Sequence, residues 1–87
     1  MTIWKYPLAI DDSQIVKMPE GAKILCVQIQ YGVPCLWAHV NEKAARKTDR
    51  QIVTCGTGYP TEDYGLEYIG TYQVSDGNLV FHVFEER

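Results

Sequence analysis

The sequence predicts a mostly β domain of about seven antiparallel strands, folded as a small sandwich or barrel-like sheet, with at most one short helix near 41–48. Three observations carry this expectation. Apolar and polar residues alternate with a period of two through much of the chain, the pattern of half-buried strands. Turn-forming residues interrupt that alternation at short intervals, as sandwiches and small barrels require. The chain has 87 residues, 46% of them apolar, which suffices for one small core and one domain spanning 1–87.

The elements follow in order. Thr2 to Tyr6 reads as a first strand stopped by Pro7, and Gln14 to Met18 as a second, followed by a turn at Pro19-Glu20-Gly21. Lys23 to Gln30 alternates, with Leu25, Val27 and Ile29 on one face and Ile24, Cys26 and Gln28 on the other. Tyr31 to Pro34 turns the chain. Cys35 to Val40 then places Leu36, Ala38 and Val40 opposite Cys35, Trp37 and His39, and the two runs are expected to pair as a hairpin. Pro34 has no N–H to give to a ladder, so it belongs at the start of its strand. Asn41 to Thr48 is the only candidate helix. Asn41 is a fit N-cap, but the stretch lacks an apolar stripe, and a mobile loop fits equally.

Gln51 to Cys55 forms a fifth strand, and Gly56 to Gly65 a long loop rich in Gly, Pro, Asp and Thr. Leu66 to Ser75 and Asn78 to Glu85 are the last two strands. Asp76-Gly77 between them suits a type I′ turn, which needs positive φ at both central residues. That turn sets Tyr72 against Phe81 and Thr71 against His82. It puts Tyr72, Val74, Leu79, Phe81 and Val83 on a core face, with Thr71, Gln73, Val80 and His82 on the other.

Composition excludes several function classes. No apolar run approaches the ~18 residues of a membrane span. The first residues show neither a secretion nor a lipidation signal, so no membrane partner is expected. The net charge of −3 is unevenly spread: residues 1–40 sum to zero, 41–50 to +2 and 51–87 to −5. An acidic domain of this kind does not favour a long nucleic-acid footprint. Three cysteines, Cys26, Cys35 and Cys55, without a CxxC pair or zinc-finger spacing, point to reduced thiols in a cytoplasm rather than to disulfides or a metal.

The catalytic inventory is thin. His39 and His82 are the only histidines. Cys35 and His39 share a side of one strand but lie roughly 13 Å apart by strand rise, too far to hydrogen-bond. Cys55, beside the glycine loop, is the better thiol, with nothing in the sequence to lower its pKa. No catalytic residue, metal or cofactor is assigned, and the chain is read as non-enzymatic.

Binding candidates are clearer. Gly56-Thr57-Gly58-Tyr59-Pro60 is neither a Walker A loop nor GxGxxG, but its N–H groups suit an anion nest, with Thr57 adding a hydroxyl and Tyr59 and Tyr64 adding stacking surfaces. A wide turn whose glycines serve positive φ accounts for the same residues. Lys43, Arg46, Lys47 and Arg50 form a basic stretch that reads either as an anion contact or as a solvated loop. Six tyrosines among ten aromatic residues suit a recognition surface.

Ile3-Trp4-Lys5-Tyr6-Pro7-Leu8, Met18-Pro19 before Gly21-Ala22-Lys23-Ile24-Leu25, Leu36-Trp37-Ala38, Gly56-Thr57-Gly58-Tyr59-Pro60, Tyr68-Ile69-Gly70-Thr71 and Val80-Phe81-His82-Val83-Phe84 occur in that order over nearly the whole chain. This set resembles a family of short proteins encoded by phages and prophages. The resemblance implies an accessory protein acting in the cytoplasm of the host bacterium, and small acidic phage proteins are often antagonists of host defence.

Two mechanisms fit that expectation. One is capture of a small nucleotide-type immune signal by Lys43, Arg46, Lys47, Arg50, Gly56, Thr57, Gly58, Tyr59 and Tyr64, within one chain or across a homodimer or higher oligomer. The other is an anti-CRISPR-like block of a host defence protein, in which Glu62, Asp63, Glu67, Glu85 and Glu86 mimic nucleic-acid charge. The alternative from another class is a structural or assembly accessory of the phage particle.

Overall fold

The computed structural model describes residues 1–61 and 64–87. Its seven strands are β1 (Thr2–Pro7), β2 (Ser13–Pro19), β3 (Lys23–Gln30), β4 (Val33–Val40), β5 (Lys47–Gly56), β6 (Leu66–Val74) and β7 (Leu79–Glu86). All pairings are antiparallel. They build a three-stranded sheet, β1-β4-β3, and a four-stranded sheet, β2-β5-β7-β6. The Cα envelope is 41 × 31 × 16 Å. Its thin dimension is what two layers about 10 Å apart need once their pleats are added. The sheets do not close into a barrel. Among the described residues no helix is long and apolar enough to cross a membrane.

The segment expected as a short helix near 41–48 is not helical. Asn41 caps a turn instead: its Oδ1 accepts from the Lys43 N–H at 3.1 Å and its carbonyl from the Ala44 N–H at 3.0 Å. Lys47 and Thr48 already belong to β5, where they pair with Pro19 and Met18. Without an apolar stripe the segment had nothing to bury as a helix, and the β2–β5 ladder claimed its C-terminal end.

Both hairpins formed where the turn chemistry placed them. Asp76 and Gly77 have φ of 56° and 88°, and the Asn78 N–H donates to the Ser75 carbonyl at 3.0 Å. Tyr72 faces Phe81 and Thr71 faces His82. The β3–β4 turn is tighter than expected. It uses only Tyr31 and Gly32, with φ of 50° and 78°, and Val33 already pairs with Gln30. The expected alternation of β3 fails at one point. A bulge between Ile24 and Cys26 lets Ile24 face the core opposite Ala38, and leaves Leu25 exposed instead of sharing a face with Val27.

The core lies between the sheets. Leu36, Ala38 and Val40 of β4 and Val27 of β3 meet Met18, Ile52, Tyr72 and Val83 of the other sheet, with Leu8 and Ala22 sealing the ends. Each fully buried Leu, Ile or Val contributes about 1.5–3 kcal/mol relative to exposure. The sheets come closest at the β3–β6 corner. A Cβ on Gly70 would sit 2.8 Å from Val27 Cγ1, so only glycine admits this approach.

Tyr6 and Tyr72 point into this interior, and the Tyr6 hydroxyl is buried without a hydrogen-bond partner. Burial raises both phenols above their ordinary value. A raised folded-state pKa leaves stability whole below the unfolded value and removes it as pH rises. Stability is therefore expected to fall as pH climbs above about 10, with these two tyrosines ionising above the usual range. Tyrosinate absorbance followed alongside circular dichroism checks this. Ionisation of all six tyrosines in the ordinary range, with the fold intact, would contradict it.

Candidate functional site

The β5–β6 connection positions the site. β5 and β6 both pair with β7, which lies between them. The chain must therefore travel from Gly56, opposite Phe81, back to Leu66, opposite Glu86. Tyr59, Pro60, Thr61 and Leu66 of this connection lie on the outer face of the four-stranded sheet, beside Val53 and Cys55. Between loop and sheet lies an open groove of about 690 Å³, lined among others by Val53, Cys55, Tyr59, Pro60, Thr61 and Leu66. Asp12 and Glu86 stand at its wall, and no lysine or arginine lines it among the described residues.

The glycines start this crossing. Gly58 has φ of 92°, and the Tyr59 N–H donates to the Gly56 carbonyl at 3.2 Å, the arrangement of a type II turn. Gly56 lets the Tyr59 ring lie close: a Cβ there would sit 3.1 Å from it, and the exposed ring would have to shift slightly. The Thr57 N–H donates to the Val80 carbonyl at 3.1 Å. Two N–H groups of the expected anion nest are thus already engaged inside the fold.

A polar chain flanks the groove on the same face. Opposed residues of an antiparallel pair share a face, which places Thr71, His82 and Cys55 together. Tyr68 OH lies 2.6 Å from Thr71 Oγ1, Thr71 Oγ1 lies 3.0 Å from His82 Nδ1, and His82 Nε2 lies 2.7 Å from Thr57 Oγ1. The Thr57 hydroxyl reaches the Val80 carbonyl at 3.5 Å. The chain admits a proton order in which each threonine hydroxyl both donates and accepts. Tyr68 donates to Thr71 and Thr71 to Nδ1, while Nε2–H donates to Thr57 and Thr57 to the carbonyl. Both ring nitrogens of His82 are thereby occupied, one by Thr71 and one by Thr57. Cys55 Sγ lies 3.1 Å from Thr61 Oγ1. The thiol and the imidazole thus face the same side, yet each is bonded to threonine.

The fold does not gather the expected binding residues into one place. Lys43, Arg46 and Lys47 sit at one end of β5, and Gly56, Thr57, Gly58 and Tyr59 at the other, about 30 Å away by strand rise. Tyr64 and Tyr59 are on the crossing loop, 75% and 76% exposed. Arg50 turns inward, to the opposite face from Lys47. Its Nη1 donates to the Ala22 carbonyl at 2.7 Å, its Nη2 to Glu85 Oε1 at 2.9 Å, and its Nε to Glu85 Oε2. The Glu85 hydrogen bond, with help from its charge, raises the Arg50 pKa against the cost of burial. Arg50 is a structural residue, with no donor turned toward the glycine loop.

The acidic set is divided as well. Glu85 is bound to Arg50, and Glu67 to Arg87. Glu86 lines the groove, and Glu62 and Asp63 lie outside the described residues. His39 and His82 occupy outer faces of different sheets, so they do not meet. Among the described residues no three His, Cys, Asp or Glu side chains converge as metal ligands, and the three cysteines are free.

Residues 1–87 match the family described as a domain of unknown function, DUF7352. The chain belongs to that family. No curated protein and no solved structure matches it. For this DUF7352 domain the site therefore rests on its own geometry. Of the groove residues, sequence reasoning named Gly56 and Tyr59 as binding candidates, Cys55 as a thiol and Glu86 in the acidic set, and missed Asp12, Val53 and Leu66. The Thr71–His82 pair was readable from the Asp76-Gly77 register. The crossing that brings the loop onto Val53 was not, because no turn signal reports which strand a later one will pair with.

Proposed function

We propose that the chain is a non-enzymatic binding protein that holds a basic segment of a protein partner in the groove beneath the β5–β6 crossing. The observation that carries this is the lining. Apolar side chains and the ring of Tyr59 are flanked by the carboxylates of Asp12 and Glu86, with no cation among the described residues to receive a phosphate. Exposed tyrosines give large, stiff contact area with a wet hydroxyl, as recognition surfaces use. Carboxylates beside them favour a lysine or arginine partner. The Cys55 thiol faces Thr61 and the His82 ring lies between Thr57 and Thr71, so the two are not joined as a thiol–imidazole pair.

In keeping with the resemblance to phage-encoded proteins, the partner is a host defence protein in the bacterial cytoplasm, whose surface the chain blocks. Capture of a nucleotide signal has less support. Its cations and its glycine loop stand at opposite ends of β5, and Arg50 is bound to Glu85.

The test is phage plating on bacterial strains that each carry one defence system and express this chain. Wild type is expected to restore plating on at least one strain. The triple variant Asp12→Asn/Tyr59→Ala/Glu86→Gln is expected to bind the defence protein at least about tenfold more weakly and to lose restoration, while its circular dichroism stays unchanged. Restoration on no strain, with recovery of the chain in purified virions, would replace this function with an assembly role. Undiminished restoration by the triple variant would move the site elsewhere.

A further inference from the structure

We propose that β1 is where two copies of this chain join, edge to edge and antiparallel, making one six-stranded sheet, β3-β4-β1 continued by β1-β4-β3 of the second copy. The phase of the β1–β4 ladder shows what the free edge offers. The Leu8 N–H donates to the Pro34 carbonyl at 2.8 Å, and these two residues are opposed in the register of the pair. Hydrogen bonds to β4 therefore come from alternate positions, Leu8, Tyr6, Trp4 and Thr2. The N–H and C=O groups of Ile3 and Lys5 point away from the sheet, as does the carbonyl of Pro7, which has no N–H to leave unpaired.

This edge lacks the usual protection. Ile3 on the outer face is 56% exposed, and Trp4 on the core side still 38% exposed. The only charge in β1, Lys5, leans back across β4, its Nζ donating to Gln30 Oε1 at 2.8 Å. Exposed apolar edge strands of this kind are templates for another strand. The edge of β2 is less suited. Lys17 is paired there with Asp49, and the Gln14 amide closes a two-bond ring with the Ala9 backbone.

Charge selects both the occupant and the register. An antiparallel pair of β1 strands centred on Trp4 sets Ile3 opposite Lys5 of the second copy, twice by symmetry. All four outward N–H groups find carbonyls. The two Trp4 side chains meet across the axis at a close, non-hydrogen-bonded pair. Centring on Lys5 would oppose lysine to lysine and set Ile3 against Pro7, losing a donor. Centring on Ile3 would carry Lys5 opposite Met1, beyond the strand, and leave only the Ile3 amides paired within β1. Only the Trp4-centred register pairs all four outward N–H groups within β1 without opposing like charges, and β1 is self-complementary in it.

The test uses the full chain in sedimentation and native mass spectrometry over a range of concentrations. Wild type is expected to show a concentration-dependent dimer. In that dimer the Ile3 and Lys5 amides, free in the monomer, are protected from hydrogen exchange. Ile3→Lys places a cation opposite Lys5 at two symmetric contacts and is expected to weaken the dimer about tenfold. Ile3→Lys/Lys5→Glu, which opposes unlike charges in the same register, is expected to restore it. Ile15→Lys on the β2 edge is expected to leave it unchanged.

A monomer at every concentration would overturn the proposal. So would a dimer in which the Ile3 and Lys5 amides exchange freely, one indifferent to Ile3→Lys, one lost in Ile15→Lys, or a double variant that fails to recover. The groove lies on the other sheet. Failure here therefore leaves the proposed function standing, and plating results do not bear on the dimer.

Discussion

Glu85→Ala is expected to destabilise the fold by about 3 kcal/mol, the low end for breaking a buried ion pair. The pair is not on the surface: both side chains keep only 19% of their accessible area. Arg50 and Glu85 project between the sheets, and the guanidinium also holds the Ala22 carbonyl, at the turn that leads into β3. Removing the carboxylate leaves a part-buried cation with the Ala22 carbonyl as its hydrogen-bond partner and only the weaker influence of the Glu67 charge. The double replacement Arg50→Met/Glu85→Leu removes the stranded charge together with its partner. It is expected to cost less than Glu85→Ala alone, although Ala22 loses a donor. Urea unfolding of the two variants beside wild type decides this. A loss below about 1 kcal/mol for Glu85→Ala would reduce the pair to the standing of an exposed one.

Gly70→Ala is expected to cost about 2 kcal/mol, purely by overpacking. Gly70 needs no unusual φ, so any residue suits its backbone. The obstacle is Val27, whose Cγ1 would lie 2.8 Å from the new methyl while its backbone N and O stand at 3.6 and 3.7 Å. A valine has no flexible end to swing aside, and this one is buried in the core. The strands must separate or the valine must leave its rotamer. Val27→Ala removes the clashing carbon, so Gly70→Ala/Val27→Ala is expected to be less destabilised than the sum of the single changes. Additivity, measured by thermal or urea unfolding, would show that the sheets are not held at this corner.

These two sites show where a sequence stops being readable. Turn chemistry is local: Asp76-Gly77 specified the register of β6 on β7, and Tyr31 to Pro34 located the other hairpin, whose turn is Tyr31-Gly32 alone. The faces of β4 followed from simple alternation, and Leu36, Ala38 and Val40 are buried as that pattern required. Bulges broke the pattern at Leu25 and again in β6 between Tyr68 and Gly70, with no residue type that announces them. Arg50 shows the limit for the site. In the sequence it is the fourth member of a basic run. In the fold, the period of two turns it inward onto a glutamate that lies 35 positions later. The nucleotide-capture reading joins Lys43, Arg46 and Lys47 to a glycine loop that lies a short way along the chain. An extended strand converts that short separation into nearly the full length of the domain.

The place of β7 between β5 and β6 also sets an order of events. β5 and β6 are synthesised earlier, but neither bonds to the other. Their ladder partner is the last of the seven strands. Until β7 arrives, β6 has no neighbour in its sheet, and β2 and β5 form an isolated two-stranded ribbon, marginal in water. β7 must slide into a slot with both walls unfinished, and it completes both at once. The domain should therefore acquire its structure late and in a single step, on the millisecond-to-second scale of β folds built from distant pairings. A nascent chain lacking β7 would present two open strand edges to whatever reaches them first.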